Sequence, residues 1–362
     1  MSEEDRRRLF HIMYMEQPCG VYEGRRFMKA GKLSEAVLKR SVLRMFHRTA
    51  EQVQGPGVGA DCSVIAPPHG LIVQAVSTMP LAGMQWRDGR LSGLETAAVS
   101  NAVNNIVCSG AEPLGVLVNL LLPTSFDEQR LRDVTAGIET ACAETGIAVL
   151  GGHTEVVRSV REPVLTVTAV GSVEESDLVR SGQVRPGMDI VMTKWAGLMG
   201  TAVLAQRFDE QLCTRYAKAF VDTAKRFDGC RSVCSEAAVA AKSGAAAMHD
   251  VSEGGIYGAL WELAQCSGVG LDIELKKIPI RQETVEICEF FDVNPYKLLS
   301  TGSLLMAADD GEALAGALME AGVSAAVIGR VTDSNDRVLV YEEERRFLEF
   351  TQTDELWRVM PG

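Results

Sequence analysis

The sequence predicts two domains in tandem, each mixing helices and strands, and three observations carry that prediction. The chain has 362 residues, enough for two cores at about 150 residues apiece. Apolar strand-like runs alternate with helix-period segments through both halves. A polar, turn-rich stretch between Glu174 and Pro186 separates them. The expected divisions are an extension over 1–30, domains over 31–175 and 176–345, and a tail over 346–362.

Within the first domain the pattern from Lys32 to about Gln52 reads as a helix with Ser34 as its cap. A glycine-rich turn, Gly55-Pro56-Gly57-Val58-Gly59, then leads into Asp61. CSVIA and LIVQAVS are β-rich runs around Pro67-Pro68-His69-Gly70, which is hairpin chemistry. A small-residue helix follows from Leu94 to Ser109, ended by Gly110, and LGVLVNLLL reads as a buried strand. Ser125 with Glu128 forms a capping box for a helix that runs to about Thr145 and stops at Gly146. The strands AVL and PVLTVTAVGS close this half, with Gly151-Gly152 as the loop between them, giving the order β-β-α-β-α-β-β of one α/β layer. In the second half DIVMTK is a strand, helices cover parts of 200–243, and AAMHD runs into the turn Ser252-Glu253-Gly254-Gly255. A helix from Ile256 to Cys266, strand GLDIEL, a helix from Glu283 to Phe291, strand SLLMAA, a helix near 312–321 and strands AAVIGRV and RVLVYEE complete it.

Composition excludes several classes. Lys and Arg number 36 against 48 Asp and Glu, a net charge of −12, and no basic block is long enough to form a face for nucleic acid. With 46% hydrophobic and 23% charged residues the chain is an ordinary globular one. Nine scattered cysteines read as reduced thiols of a cytoplasmic protein, and Cys230 and Cys234 lack the second pair a zinc site requires. The start, MSEEDRRRLFHIMYMEQ, reads as neither signal peptide nor membrane anchor, and no apolar run approaches the ~18 residues of a membrane helix.

Four clusters carry chemistry. In GPGVGADCSV the glycines let backbone N–H groups approach an anion, and Asp61 could hold a divalent cation beside it; a tight turn before a strand explains the same residues. Asn101 and Asn105, with Asn104 between, lie one helical turn apart and can reach one polar ligand or bridge neighbouring loops. Gly151-Gly152-His153-Thr154-Glu155 and His249-Asp250-Val251-Ser252-Glu253-Gly254-Gly255 each set ionisable groups in a glycine-rich turn, which suggests a cleft between the domains. Lys194 and Lys32 are phosphate-neutralising cations or solvated chain ends. No Walker A pattern, GxGxxG before a helix, GxSxG elbow or HExxH occurs.

Taken in order, GKLSEAVLKR, GPGVGADCSVI, AVNNIVCSGAEPLGVLVNL, VLGGHTEVV, TKWAGLMGTAVLA and MHDVSEGGIYGALWELAQCSGVGLDI resemble the blocks of the PurM-like ATP-binding superfamily from about Gly31 to Glu344. That superfamily includes aminoimidazole ribonucleotide (AIR) synthetase, the hydrogenase-maturation protein HypE, selenophosphate synthetase and thiamine-monophosphate kinase. The layout is nearest to HypE and its AIR synthase-related relatives. The resemblance implies an α/β N-terminal domain that binds ATP with Mg2+ and dimerises through its sheet, and an α+β C-terminal domain. It implies phosphoryl transfer that activates a carboxamide, carboxylate or phosphate, on a small molecule or a protein-borne acceptor. Under it Asp61 and Glu155 would meet magnesium. Lys32, Asp61, Thr78, Asn101, Asn104, Asn105, Gly151, Gly152, His153 and Thr154 would hold the nucleotide, and Lys194, His249 and Asp250 would face phosphates or acceptor.

The chain departs from the pattern. Met79 stands at a usual Asp, Asn104-Asn105 at an Asn-Asp pair, and His153 at the acid of HypE-like proteins, although selenophosphate synthetases share Gly-Gly-His. HypE ends in a Cys that receives and dehydrates a carbamoyl group, whereas this sequence ends Trp357-Arg358-Val359-Met360-Pro361-Gly362, so that tail chemistry is not expected of it. No reactive Cys stands in the glycine-rich segment to support a selenophosphate-synthetase reading. The rival expectations are a nucleotide-binding sensor or maturation scaffold without turnover, and a metal-independent binder of another anionic metabolite.

Overall fold

The computed structural model describes residues 36–47, 70–81, 93–180 and 182–360, with Thr49 and Pro67, and the backbone alone of 21–22, 25–26, 31–32, 35, 52–54 and 64–65. A short pair, β1 (Val21–Tyr22) and β2 (Arg25–Arg26), precedes β3 (Gly31–Lys32) and helix α1 (Glu35–Ser41). Helix α1 is shorter than its apolar periodicity suggested. It stops where Arg40 and Ser41 turn their side chains to Glu128, and a 3-10 turn over Leu43–Met45 follows.

The segments β4 (Gln52–Gln54) and β5 (Val64–Ile65) pair with each other, and β6 (Leu71–Pro80) pairs along its whole length with a later strand. Among the described residues the arms of the hairpin expected around Pro67-Pro68 therefore do not pair with each other. Each of its arms finds a longer-range partner, because a ten-residue strand satisfies more backbone donors against an equal strand than against a two-residue one. Helix α2 (Leu94–Val107), β7 (Glu112–Leu122), helix α3 (Glu128–Thr145), β8 (Ala148–Val156) and β9 (Val164–Val173) complete the first half. Its sheet runs β3-β8-β7-β9-β6, with β7 and β8 parallel and the other pairs antiparallel. The cap of α3 is Asp127, whose carboxylate accepts from the Arg130 N–H at 2.9 Å; Ser125 lies too early in the chain to do so. Gly146, at φ 71°, ends α3 as expected.

The second half contains β10 (Asp189–Thr193), α4 (Leu198–Arg207), α5 (Lys218–Lys225), α6 (Cys234–Lys242), β11 (Ala245–Val251), α7 (Gly255–Ser267), β12 (Gly270–Glu274), α8 (Gln282–Phe291), β13 (Ser303–Ala308), α9 (Gly311–Glu320), β14 (Ala325–Thr332), β15 (Arg337–Tyr341), β16 (Glu344–Phe347) and α10 (Leu356–Val359). Its seven-stranded sheet runs β11-β13-β10-β14-β12-β15-β16, antiparallel except for β12 beside β15.

Strand alternation divides the second sheet between two cores. Val191, Leu304 and Met306 face the core that also holds Val116, Leu120 and Leu165 of the first sheet, while Ile190, Met192, Leu305 and Ala307 face a second core beneath α7. Helix α2 lies between the halves and is buried on every side, with Asn105 as its exposed exception. Ala97, Ala98 and Ala102 keep it thin enough to be sandwiched in this way.

Candidate functional site

The described residues that the sequence singles out fall into two places. One is the face of the five-stranded sheet turned away from α2 and α3. Register places Thr78 opposite Thr166, Thr166 opposite Asn119, and Asn119 opposite His153, so four polar side chains form one row across β6, β9, β7 and β8. Thr78 and Thr166 share a hydrogen bond of 3.0 Å, and the imidazole Nε2 of His153 lies 3.2 Å from the Glu155 carboxylate. Both partners of that second pair are partly solvated. Glu155 in turn sits opposite Lys32 in the register with β3, so the row ends beside the edge strand.

Gly151 and Gly152 are not a loop. They continue β8, and a Cβ at Gly152 would run into the Val118 carbonyl of the neighbouring strand, at a φ of 150° that suits glycine. The glycine pair that resembles phosphate-cradle chemistry is required here by two backbones in close approach. Thr154 pairs with the buried Leu120 and so belongs to the helix-covered face, apart from His153. Asp61, the glycine-rich turn before it and the side chain of Lys32 lie outside the described residues.

The second place is a buried polar seam where α2 meets the C-terminal half. Asn101 accepts from the Thr301 hydroxyl at 2.6 Å, and Asn104 donates to the Arg231 carbonyl at 2.9 Å while accepting from the Val233 N–H at 3.0 Å. Both asparagines are at most 4% exposed, and their amides bridge the two halves, Asn101 through its oxygen and Asn104 through both oxygen and nitrogen. Asn105 instead points out of the seam and its amide donates back to the Asn101 carbonyl, 2.9 Å away; the two amides do not converge on one ligand.

Lys194 corrects another expectation. Its ammonium donates to the carbonyls of Cys230, Ser232 and Gly302 at 3.0, 2.6 and 2.8 Å and pairs with Glu236 at 2.7 Å. Four oxygens occupy an ammonium that has three protons, so nothing is left over for a phosphate. They also hold Lys194 at φ 51°, a conformation unusual for a residue with a Cβ.

His249 and Asp250 are the end of β11, ahead of the glycine turn. His249 Nδ1 lies 2.7 Å from the Asp250 carbonyl oxygen, and Nε2 faces Glu262 at 3.4 Å. Asp250 is 3% exposed with its Oδ2 unpartnered, and burial raises its carboxyl above the ordinary range against the pull of His249. Desolvation, with Asp250 nearby, pushes the Cys108 thiol well up. The Gly254 N–H is taken by the Asp354 carboxylate at 2.7 Å, and Asp354 also accepts from Leu299 and Leu356. The turn read as an anion cradle is thus filled from within the chain.

Sequence reasoning missed several residues of these sites, among them Asn119, Thr166, Thr301, Glu236 and Asp354. Asn119 was legible as the polar member of an all-apolar run; Thr166 and Thr301 carried no local signal, because only register and domain packing bring them to their partners. Among the described residues no group of three or more His, Cys, Asp or Glu side chains is placed to hold a metal.

Two halves of this construction, joined in order through a buried central helix, define a two-domain PurM-like protein. Residues 59–173 match the N-terminal domain of AIR synthase related proteins and residues 185–342 match their C-terminal domain, so the chain belongs to that family. Carbamoyl dehydratase HypE of Rhodobacter capsulatus is 31% identical over 246 residues, 64% of this chain and 68% of that protein. Thiamine-monophosphate kinase of Methanospirillum hungatei JF-1 is 28% identical over 229 residues, 62% of this chain and 71% of that one. In three dimensions the chain resembles the crystal structure of hydrogenase maturation protein HypE in complex with ATP, with a TM-score of 0.74 and 19% identity over 91% of this chain and 98% of the other.

Proposed function

We propose that this protein binds ATP on its N-terminal domain and activates a carboxamide, carboxylate or phosphate by phosphoryl transfer. The observation that carries the reading is that both halves match, in order, the two domains of a family whose members include a carbamoyl dehydratase and a kinase, on the fold seen in a HypE–ATP complex. On this reading the open sheet face, with Thr78, Asn119, His153 and Glu155, borders the nucleotide, and His249 at the rim of the seam moves a proton to or from the acceptor. A second copy of the chain covers the exposed Ile72, Val76 and Leu117 of the same face, making a homodimer. Magnesium would supply charge neutralisation at the phosphates. Glu155 is one donor for it, but a single carboxylate shared with His153 falls short of the acidic oxygen set of a hard cation, so the proposal requires Asp61 to join it.

The second reading, nucleotide binding without turnover, is favoured by three observations. Met79 is 2% exposed in the core, Asn104 is spent on the seam, and Lys194 is spent on its carbonyls. The two readings separate in calorimetric titration with ATP and a non-hydrolysable analogue, with and without magnesium, followed by phosphate release with candidate acceptors. Magnesium-dependent binding that Asp61→Ala abolishes, with phosphate release, supports the enzyme. Binding indifferent to magnesium and without release supports the sensor, and absence of any ATP binding sinks both.

A further inference from the structure

Outside the two places just described, the C-terminal sheet carries a cavity of about 400 Å³ at its β15–β16 end. Its floor is apolar: Leu275, Ile278 and Leu339 are at most 7% exposed. Its walls are two tyrosines. Tyr296 is held by stacking on Tyr257, ring centres 5.4 Å apart and planes 11° from parallel, and Tyr341 lies beneath the ammonium of Lys276 at 5.0 Å.

The rim carries one cation and one anion that lack a charged partner among the described residues. Leu339 pairs with Arg346 and Tyr341 with Glu344 in the β15–β16 register, so all four side chains share the cavity's side of the ribbon. Lys276 is neutralised by Glu342 at 2.5 Å. Arg346 donates to the Tyr257 hydroxyl at 3.2 Å, and among the described residues no ion pair joins it to a carboxylate. Glu344, two residues away, likewise has no ion pair among the described residues. Arg346 also lies close enough to oppose the upward push of burial on the hydroxyls of Tyr257 and Tyr296.

We propose that this cavity binds a small zwitterion with an aromatic body, of the chemistry of an aromatic α-amino acid. The guanidinium of Arg346 presents a planar fork that suits a carboxylate. Glu344 and the tyrosine faces favour an ammonium beside it, and the apolar floor takes the ring. The cavity volume is in the range of small-molecule sites. The site is separate from the N-terminal sheet on which ATP is proposed to bind, so it stands whether or not that reading holds.

The test is calorimetric titration of the intact protein with L-phenylalanine, 3-phenylpropionate and phenethylamine, repeated in the presence of ATP. Phenylalanine is expected to bind saturably and at least tenfold more tightly than either probe lacking one charge. Arg346→Gln and Glu344→Gln, both on an exposed strand, should each weaken it at least tenfold while leaving the circular dichroism spectrum unchanged. No saturable binding of phenylalanine, binding unaltered in Arg346→Gln, or displacement of phenylalanine by ATP would each overturn the proposal.

Discussion

Lys194 looks from its sequence like a free cation at a strand end, and the fold makes it a structural post. Glu236 is 1% exposed and faces that ammonium, so removing the cation leaves a carboxylate in the interior without its counter-charge. Lys194→Met is expected to lower stability to denaturant by about 3–5 kcal/mol. A fully stable variant that had lost only activity would return Lys194 to the catalytic machinery. Gly152 makes a second case. Gly152→Ala forces a methyl group into the Val118 carbonyl, and the cost should exceed about 3 kcal/mol, since two paired backbones cannot both move aside. Gly146→Ala, at φ 71° with open space around the added carbon, should cost only about 1 kcal/mol. Equal losses in the two variants, measured by urea unfolding, would show that close approach in the sheet is not what requires Gly152. At this scale residue types were legible and partners were not: nothing local to TKWAG reports that Cys230, Ser232 and Gly302 will surround Lys194.

At the scale of elements, α2 shows what periodicity can establish. Its run of small and apolar residues predicted a helix over Leu94 to Ser109, and the helix spans Leu94–Val107. The same helix carries Glu95 into the interior at 3% exposure with Oε2 unpartnered, and burial pushes its carboxyl from 4.5 up to about 8. Asp228 adds to that rise and Arg231 opposes it. A carboxyl whose folded value is raised contributes stability that is complete below about 4.5 and is lost as pH climbs through about 8. Glu95→Gln removes this dependence, so its stability relative to the parent should improve between pH 5 and pH 8.5 by on the order of 2–4 kcal/mol. A difference that stays constant with pH would contradict the buried, neutral Glu95. Strand β8 shows the opposite lesson. Its Gly-Gly pair carries the local signature of a turn, and pairing with β7 overrides it, because Leu117 and Val118 stand opposite Gly151 and Gly152 and keep the segment extended.

Across the whole molecule one core joins both sheets through α2, and Asn101–Thr301 and Asn104–Arg231 stitch the halves together. The two domains are therefore expected to unfold as one unit. Calorimetry should record a single transition whose calorimetric and van't Hoff enthalpies agree, and two separated transitions would show that the seam is weak. Much of the architecture was legible in the sequence. The two-domain order, the central small-residue helix, most strands of the second half and the membership of the AIR synthase related family follow from patterns read within short windows or from blocks in order. Burial periodicity and a helix stop such as Gly146 are local properties, so the sequence by itself determined them. Tertiary structure alone decided which polar residues remain available. Register set Thr78, Thr166, Asn119 and His153 in one row on an open face, and domain packing consumed Asn101, Asn104 and Lys194. The physical reason is that a polar side chain's function depends on whether its hydrogen bonds are already made, and those bonds reach across 36 to 200 residues of chain.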